Sequence, residues 1–295
     1  MKNSLYFDGA KKLILTPLGK IRGMQDGAIY GGYLFRFSSK GLGKVYDAAT
    51  FEDIAPIALD KCDILTPHSN SVSFSGEFWQ AGDEFPILYS NLYNTYSKAE
   101  NRMEGMCCAY RVTRQGTEFT TQLLQVIRVD FVHDGKYWCS ENAQDVRPYG
   151  NFVVDAPKGQ LHAFVMRDES HTTRYFRFAL PKITAGIPSD VWGVPVVELT
   201  VSDIARQFDG PYIHYMQGAT CQDGILYSVE GFHYDDSRGA PGFRVIDTNR
   251  GQEVFFAELA PYGLLDEPEF IEIYQGRLYY SDSTGAVYQM EFEDR

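Results

Sequence analysis

This sequence predicts an all-β chain assembled from repeated units of short strands, and three observations carry the prediction. The first is a recurring punctuation. Gln25-Asp-Gly-Ala-Ile-Tyr-Gly-Gly-Tyr-Leu34-Phe, His214-Tyr-Met-Gln217-Gly-Ala-Thr-Cys-Gln-Asp-Gly-Ile-Leu226-Tyr and Glu269-Phe-Ile-Glu-Ile-Tyr-Gln-Gly-Arg-Leu278-Tyr share one frame. In each, a Gln or Glu stands nine residues before a Leu, an aromatic follows that Leu, and a Gly precedes it by two. The second is a surplus of aromatics, with 20 Tyr and 20 Phe, which suits pleated, half-buried strands better than helices. The third is that turn signals enclose about four short apolar runs in each stretch of roughly forty residues.

Taken in order, Ser4-Leu-Tyr-Phe and Lys12-Leu-Ile-Leu-Thr16 read as extended until Pro17 and Gly19 break the segment. A first cycle follows in Ala28-Ile-Tyr, Tyr33-Leu-Phe-Arg-Phe, Lys44-Val-Tyr and Ile54 to Leu59. Pro56 confines the last of these to a sheet edge. The second cycle runs from Pro67-His68-Ser-Asn70 through Phe85 to Ser90 and Gly105 to Val112, ending at Gln122 to Val129. A polar insertion, Asn91 to Glu104, is long enough for a functional loop, and the connector Asp130 to Val146 carries a candidate small hairpin at His133-Asp-Gly-Lys-Tyr. The third cycle is Asn151 to Asp155, Gly159 to Met166, Arg174 to Leu180 and Val196 to Thr200, with an Asn-to-Leu spacing of ten instead of nine. A helical turn is expected at Ser202 to Phe208. The fourth cycle continues from Gln217 through Gly242-Phe-Arg-Val-Ile-Asp to Glu253 to Leu259. The fifth supplies Glu269 to Ile273, Arg277 to Ser281 and Ala286 to Phe292.

That last cycle has three strands, and the chain begins with a spare one. If the N-terminal strand completes the last unit, a ring closes with no open edge. The Gly-x-Leu-Tyr/Phe punctuation at Gly32, Gly224 and Gly276 resembles the first hairpin of β-propeller blades. The resemblance implies a five-bladed β-propeller over residues 1–295 as a single domain, or six blades if the Asp130 to Val146 connector is a degenerate one. Its motifs are architectural and are shared by enzymes, lectins and scaffolds. No WD or kelch pattern recurs, and no CxxC, HExxH, GxGxxG, P-loop or GxSxG motif is present.

Bulk composition bounds the function. Hydrophobic residues at 44 % and charged residues at 22 % provide for a packed core. A net charge of −12 without a Lys/Arg cluster argues against nucleic acid and anionic membrane. No apolar run reaches the roughly 18 residues of a membrane span, and Met1-Lys-Asn-Ser-Leu-Tyr shows no leader pattern, so a cytoplasmic monomer is expected. The five cysteines, Cys62, Cys107, Cys108, Cys139 and Cys221, lack regular spacing, and adjacent Cys107 and Cys108 face opposite sides of a strand. They read as buried free thiols.

The repeat register itself nominates a site. In a propeller the innermost strand of each blade lines the channel, and equivalent strand-start positions here hold Gln25, Asn70, Asn151, Gln217 and Glu269. Arg22, His68, His214, Arg147, Tyr149 and Glu267 lie just upstream. One reading is that these groups satisfy strand ends and hold water. The other is a convergent site at the channel mouth for a small carbohydrate-like or carboxylated ligand, since amides both donate and accept. Glu269 with His68 and His214 forms the candidate catalytic set for a hydrolase or lyase acting on a sugar or sugar acid. The same three residues, with Asn70 or Asn151, are candidates to hold one divalent metal ion. A protein-interaction scaffold is the third possibility. His162 reads as an ordinary packed strand residue, and Trp79, Phe85 and Tyr89 as core or stacking aromatics.

Overall fold

The computed structural model describes residues 1–65, 67–92, 105–129, 132–133, 136–137, 151–167, 170–190 and 192–294. Almost all of its regular structure is strand. A first antiparallel sheet contains β3 (Gly27–Tyr30), β4 (Tyr33–Phe37), β5 (Leu42–Asp47) and β6 (Asp53–Ala58) in sequence order. A second contains β7 (Val72–Phe74), β8 (Leu88–Leu92), β9 (Met106–Gln115) and β10 (Glu118–Val129). The third runs β13 (Asn151–Asp155), β14 (Gln160–Arg167), β15 (Thr172–Ala179) and β18 (Arg206–Pro211). A single parallel bridge, Asp155 to Cys221, joins it to the fourth, which holds β19 (Met216–Gln222), β20 (Ile225–Glu230), β21 (Gly242–Asp247) and β22 (Gln252–Glu258). The fifth comprises β23 (Pro268–Tyr274), β24 (Arg277–Asp282), β25 (Ala286–Glu293) and, along the far side of β25, β2 (Lys12–Lys20).

The N-terminal strand therefore completes the last sheet, with a register running from Lys12 opposite Glu293 to Lys20 opposite Ala286. Pro17 and Gly19 do not break it, contrary to the sequence reading. The strand passes them through a bulge, which an outermost strand tolerates because its far side needs no ladder hydrogen bonds. None of the Ser4 to Phe7 segment read as extended is strand; β1 (Lys2–Asn3), just before it, pairs with Phe292 and Glu293.

The punctuation has a physical cause. Gly31-Gly32, Asp223-Gly224 and Gln275-Gly276 are two-residue turns in which both residues have positive φ. This is the primed geometry that matches strand twist and calls for Gly at its second position. The third hairpin instead uses a 3-10 turn, Ala156–Lys158, capped by Gly159 at φ 57°, and so departs from the nine-residue spacing. The Leu after each turn, Leu34, Leu161, Leu226 or Leu278, is fully buried.

Alternation along the strands gives each sheet two apolar faces, and these faces build a core of five layers. Phe35, Phe37 and Val45 of the first sheet meet Leu88, Tyr110 and Val126 of the second. Ile87 and Ile127 meet Leu161 and Phe176; Phe164 and Tyr175 meet Ala219 and Leu226. Tyr227 and Phe243 meet Tyr280, Phe292 and Leu13. The last layer, Leu34 and Tyr46 against Phe270 and Tyr279, returns to the first sheet. The innermost strands follow the same circuit: β3 touches β7, β7 touches β13, β13 touches β19, β19 touches β23, and β23 touches β3. The protein is an all-β propeller.

Two expectations need correction. Val196 to Thr200 is not the outer strand of the third sheet. As β17 (Pro195–Leu199) it pairs in parallel with Val126 to Val129 on the outside of the second sheet, with β16 (Ile187–Pro188) beyond it. Its place beside β15 is taken by β18, where Tyr175 sits opposite Phe208. The helical turn is confined to the 3-10 segment Val201–Asp203. The connector does pair as a small ladder, β11 (Val132–His133) with β12 (Lys136–Tyr137). Asn91 and Leu92, read as the start of the polar insertion, belong instead to β8. The rest of the Asn91 to Glu104 insertion and most of the connector lie outside the described residues, as does the question of a sixth blade. Among the described residues no helix is long and apolar enough to cross a membrane.

Candidate functional site at the start of the inner strands

The five inner strands run the same way around the axis, so their first residues share one end of the channel. Four of the five nominated residues are buried there: Asn70, Asn151, Gln217 and Glu269, at 5 %, 0 %, 6 % and 5 % exposure. Gln25 is half-buried.

The amides largely bind one another. Asn70 Nδ2 donates to Asn151 Oδ1 and to the Met216 carbonyl, both at 3.1 Å, tying the second sheet to the third and fourth. Asn91, which the register did not nominate, donates from Nδ2 to Asn70 Oδ1 and to Asn151 Oδ1. Gln25 Nε2 reaches Glu269 Oε1 at 3.1 Å, joining the first sheet to the fifth. Gln217 Nε2 donates to Glu267 Oε1 at 2.6 Å and to the Gly231 carbonyl at 3.1 Å. Just below, Ser73 Oγ accepts the Val154 amide.

Two further charged residues complete the layer. Asp26 is fully buried and accepts the Val72 amide on Oδ2 at 3.0 Å. Gly218 passes so close that a Cβ there would stand 3.3 Å from Asp26 Oδ1. Arg36, also fully buried, donates to the carbonyls of Gln25 (3.0 Å) and Met24 (2.8 Å) and lies 4.6 Å over the Phe270 ring. The sequence signal for it was a charge inside the apolar strand Tyr33-Leu-Phe-Arg-Phe, whereas Asn91, following Ser90, read as the start of the polar insertion.

Burial dominates the electrostatics. It raises the Glu269 carboxyl well above its ordinary range, and the neighbouring Glu267 charge raises it further. Burial alike lifts Asp26 well above its range, against two backbone hydrogen bonds that favour the carboxylate. Glu267 is raised for the same first reason, and the Arg36 guanidinium is lowered to about 10. The layer thus favours the neutral form of its acids more than water does.

Not every bonding position is filled by protein. Gln25 Oε1, Asp26 Oδ1, Asn151 Nδ2, Glu269 Oε2 and Arg36 Nη1 are shut off from solvent without a protein partner.

The remaining nominees are dispersed. His68 is largely buried, and desolvation lowers its pKa to about 4, so it is neutral. His214 is exposed on the rim, edge-on to Tyr212 at 5.4 Å between ring centroids. Arg22 is exposed, and Arg147 and Tyr149 lie outside the described residues. His68, His214 and Glu269 do not form a metal-type cluster. Among the described residues, the three ligand atoms that fall within 4.8 Å of one another belong to Asp155, His162 and Cys221. The loop after Glu230 does join this end, since Gly231 accepts from Gln217 and Tyr234 N donates to the Leu265 carbonyl.

The other end of the channel opens into a cavity of about 380 Å³ bordered by Tyr30, Phe74, Ser75, Thr220, Cys221 and Glu272. Burial pushes the Glu272 carboxyl up to about 8, although Oε1 accepts from Thr220 Oγ1 (2.8 Å) and the Ile273 amide (2.7 Å). Exposed Trp79 stands on the loop that follows β7, while Phe85 and Tyr89 are core residues.

The chain matches no family model and no curated protein. Solved structures similar to it include a glutaminyl cyclase from Myxococcus xanthus, at 10 % identity over 95 % of this chain and 94 % of that one, with a TM-score of 0.49. An exo-β-1,3-galactanase from Phanerochaete chrysosporium is 9 % identical over 95 % of this chain and 64 % of its own, with a TM-score of 0.48. BamB from Moraxella catarrhalis is 10 % identical over 93 % and 59 %, at 0.36. Likenesses this distant carry no argument about chemistry. The fold rests on the closed circuit of inner strands and the five layers between sheets.

Proposed function

We propose that the strand-start end of the channel binds a small, uncharged, hydroxyl-rich ligand of carbohydrate type. The observation that supports this is the set of buried polar atoms left without a protein partner, on Gln25, Asp26, Asn151 and Glu269. Buried polar groups are almost always paired, and hydroxyls, which donate and accept together, complement this mixture of amide and carboxyl groups. A carboxylated ligand is less well served. Arg36 already spends two donors on backbone carbonyls and keeps only Nη1, too few for a bidentate grip on a carboxylate.

An acid-catalysed reaction on such a ligand is the second reading, favoured by one observation. Glu267 is the largest charge raising Glu269, and two nearby carboxyls in different surroundings can divide acid and base roles. His68, with its pKa near 4, is a poor base for abstracting a carbon-bound proton.

Thermal unfolding in the presence of neutral sugars, sugar acids and buffer alone tests the proposal. Binding to the folded state raises apparent stability by about 2.7 kcal/mol at a hundredfold excess over Kd. Neutral sugars should raise Tm in the wild type and fail to do so in Asn151→Leu. No rise with any hydroxylated ligand, or an equal rise in that variant, would refute the site. Glu269→Gln separates the two readings, because it keeps binding and abolishes turnover only if Glu269 is the acid.

A further inference from the structure

At the opposite end of the inner strands, where the single parallel bridge links the third and fourth sheets, three unlike side chains meet. Asp155 closes β13, Cys221 lies opposite it on β19, and His162 comes from β14. A ring nitrogen of His162, the Cys221 sulfur and a carboxylate oxygen of Asp155 all lie within 4.8 Å of one another, and all three residues are buried. We infer that Asp155, His162 and Cys221 form a binding site for one zinc-type divalent metal ion, with a water molecule as the fourth ligand.

The geometry suits a tetrahedral ion. Cys221 Sγ stands 3.7 Å from Asp155 Oδ2, against ~3.5 Å for the sulfur–oxygen edge of a zinc tetrahedron built from ordinary bond lengths. The carboxylate is already oriented, since Oδ1 accepts the Asp223 amide (3.1 Å) and Oδ2 the Gly224 amide (2.6 Å). Such outer partners typically position metal ligands. A thiol donating to a carboxylate would by itself explain Asp155 and Cys221. It leaves His162 unexplained: the residue is 3 % exposed, and its Nε2 is shut off from solvent with no partner.

The donor set is also the right one chemically. Thiolate, imidazole and carboxylate together select zinc-like ions over magnesium or calcium. Arg177 and Lys158 act on the His162 ring, whose solvent-shielded and unpartnered Nε2 is placed to offer a lone pair. Without metal the Cys221 thiol donates to Asp155 Oδ2. Binding therefore displaces one proton from sulfur to solvent as the metal–sulfur bond forms. The dication then faces one thiolate and one carboxylate, a neutral complex that the two nearby cations do not oppose. Cys221 borders the 380 Å³ cavity, which supplies a route of access.

The test uses the whole reduced chain after dialysis against chelator. Titration with cobalt(II) should develop a thiolate-to-cobalt charge-transfer band that saturates at one equivalent, releases one proton per ion and is erased by zinc. Cys221→Ala and His162→Phe should abolish it, while Cys62→Ala, at the half-buried cysteine elsewhere, should not. Should the buried variants fold poorly, X-ray absorption of the zinc-loaded wild type decides alone, with one sulfur expected at about 2.3 Å. Absence of the band at saturating cobalt, its survival in Cys221→Ala, or a zinc shell without sulfur would each overturn the inference.

Discussion

Glu272 shows how strongly this protein's single residues feel the channel. Its folded pKa of about 8 lies above the ordinary value of 4.5, so the folded state keeps a proton that the unfolded chain has released. Stability must then fall as pH rises from about 4.5 to 8 and level off above that. Glu272→Gln preserves the accepting oxygen for Thr220 and Ile273 and removes the ionisation. Measured by thermal unfolding, the variant should match the wild type near pH 4.5 and exceed it increasingly up to pH 8. A constant difference across that range would show that the carboxyl titrates normally. His68 and His162 act with the opposite sign, since a folded pKa of about 4 against 6.5 costs stability as pH falls through that interval. At this scale the sequence was legible wherever the repeat supplied a frame. Asn70, Asn151, Gln217 and Glu269 were found by register alone and do lie in one layer. Asp26 stood one position from the frame, and Asn91 belongs to a second strand, so register could not point to either. His162 and Cys221 looked inert because a ligand pattern spread over three strands leaves no spacing to read.

Among the elements, the sequence was most legible at the tight hairpins. A two-residue turn with positive φ leaves a Gly that any reader can find. It was least legible at the outer strands, whose apolar content is low. Val196 to Leu199 is more apolar than Arg206 to Pro211, and it was accordingly placed in the third sheet. The fold instead lays it alongside β10, in parallel, where a long crossover replaces a hairpin. The junction between β2 and the first sheet offers a sharp test. Ile21 N donates to the Gly285 carbonyl at 2.8 Å, and Gly285 itself has φ 83°. A Cβ on it would fall 1.9 Å from the Ile21 carbonyl oxygen. Gly285→Ala should cost on the order of 3 kcal/mol through strain and displaced backbone, read from urea denaturation. A loss below about 0.5 kcal/mol, the range of ordinary surface substitutions, would mean the junction yields easily.

The described residues are held by five apolar layers rather than one central core, and the axis is polar at the level of Asn70, Asn151 and Asp26. That division explains why the architecture could be anticipated and the ligand could not. The layers come from alternation, which every strand advertises, whereas the axial residues differ from sheet to sheet. It also means that no sheet is stable on one face alone, so losing the closing strand uncovers the last layer, where Leu13 packs among residues such as Met290 and Phe292.

Pairing of Lys12 with Glu293 sets an order of events in time. β2 precedes the strands of the first four sheets yet pairs with β25, so it must wait unpaired until β25 has been synthesised. The closing contact joins strands far apart in sequence, which places it among the slow steps of folding. A circular permutant that begins at Gln25 and attaches residues 1–24 after β25 turns that contact into a local hairpin. It should refold faster than the natural order while unfolding at a similar urea midpoint. Equal refolding rates would show that ring closure is not the step that limits folding.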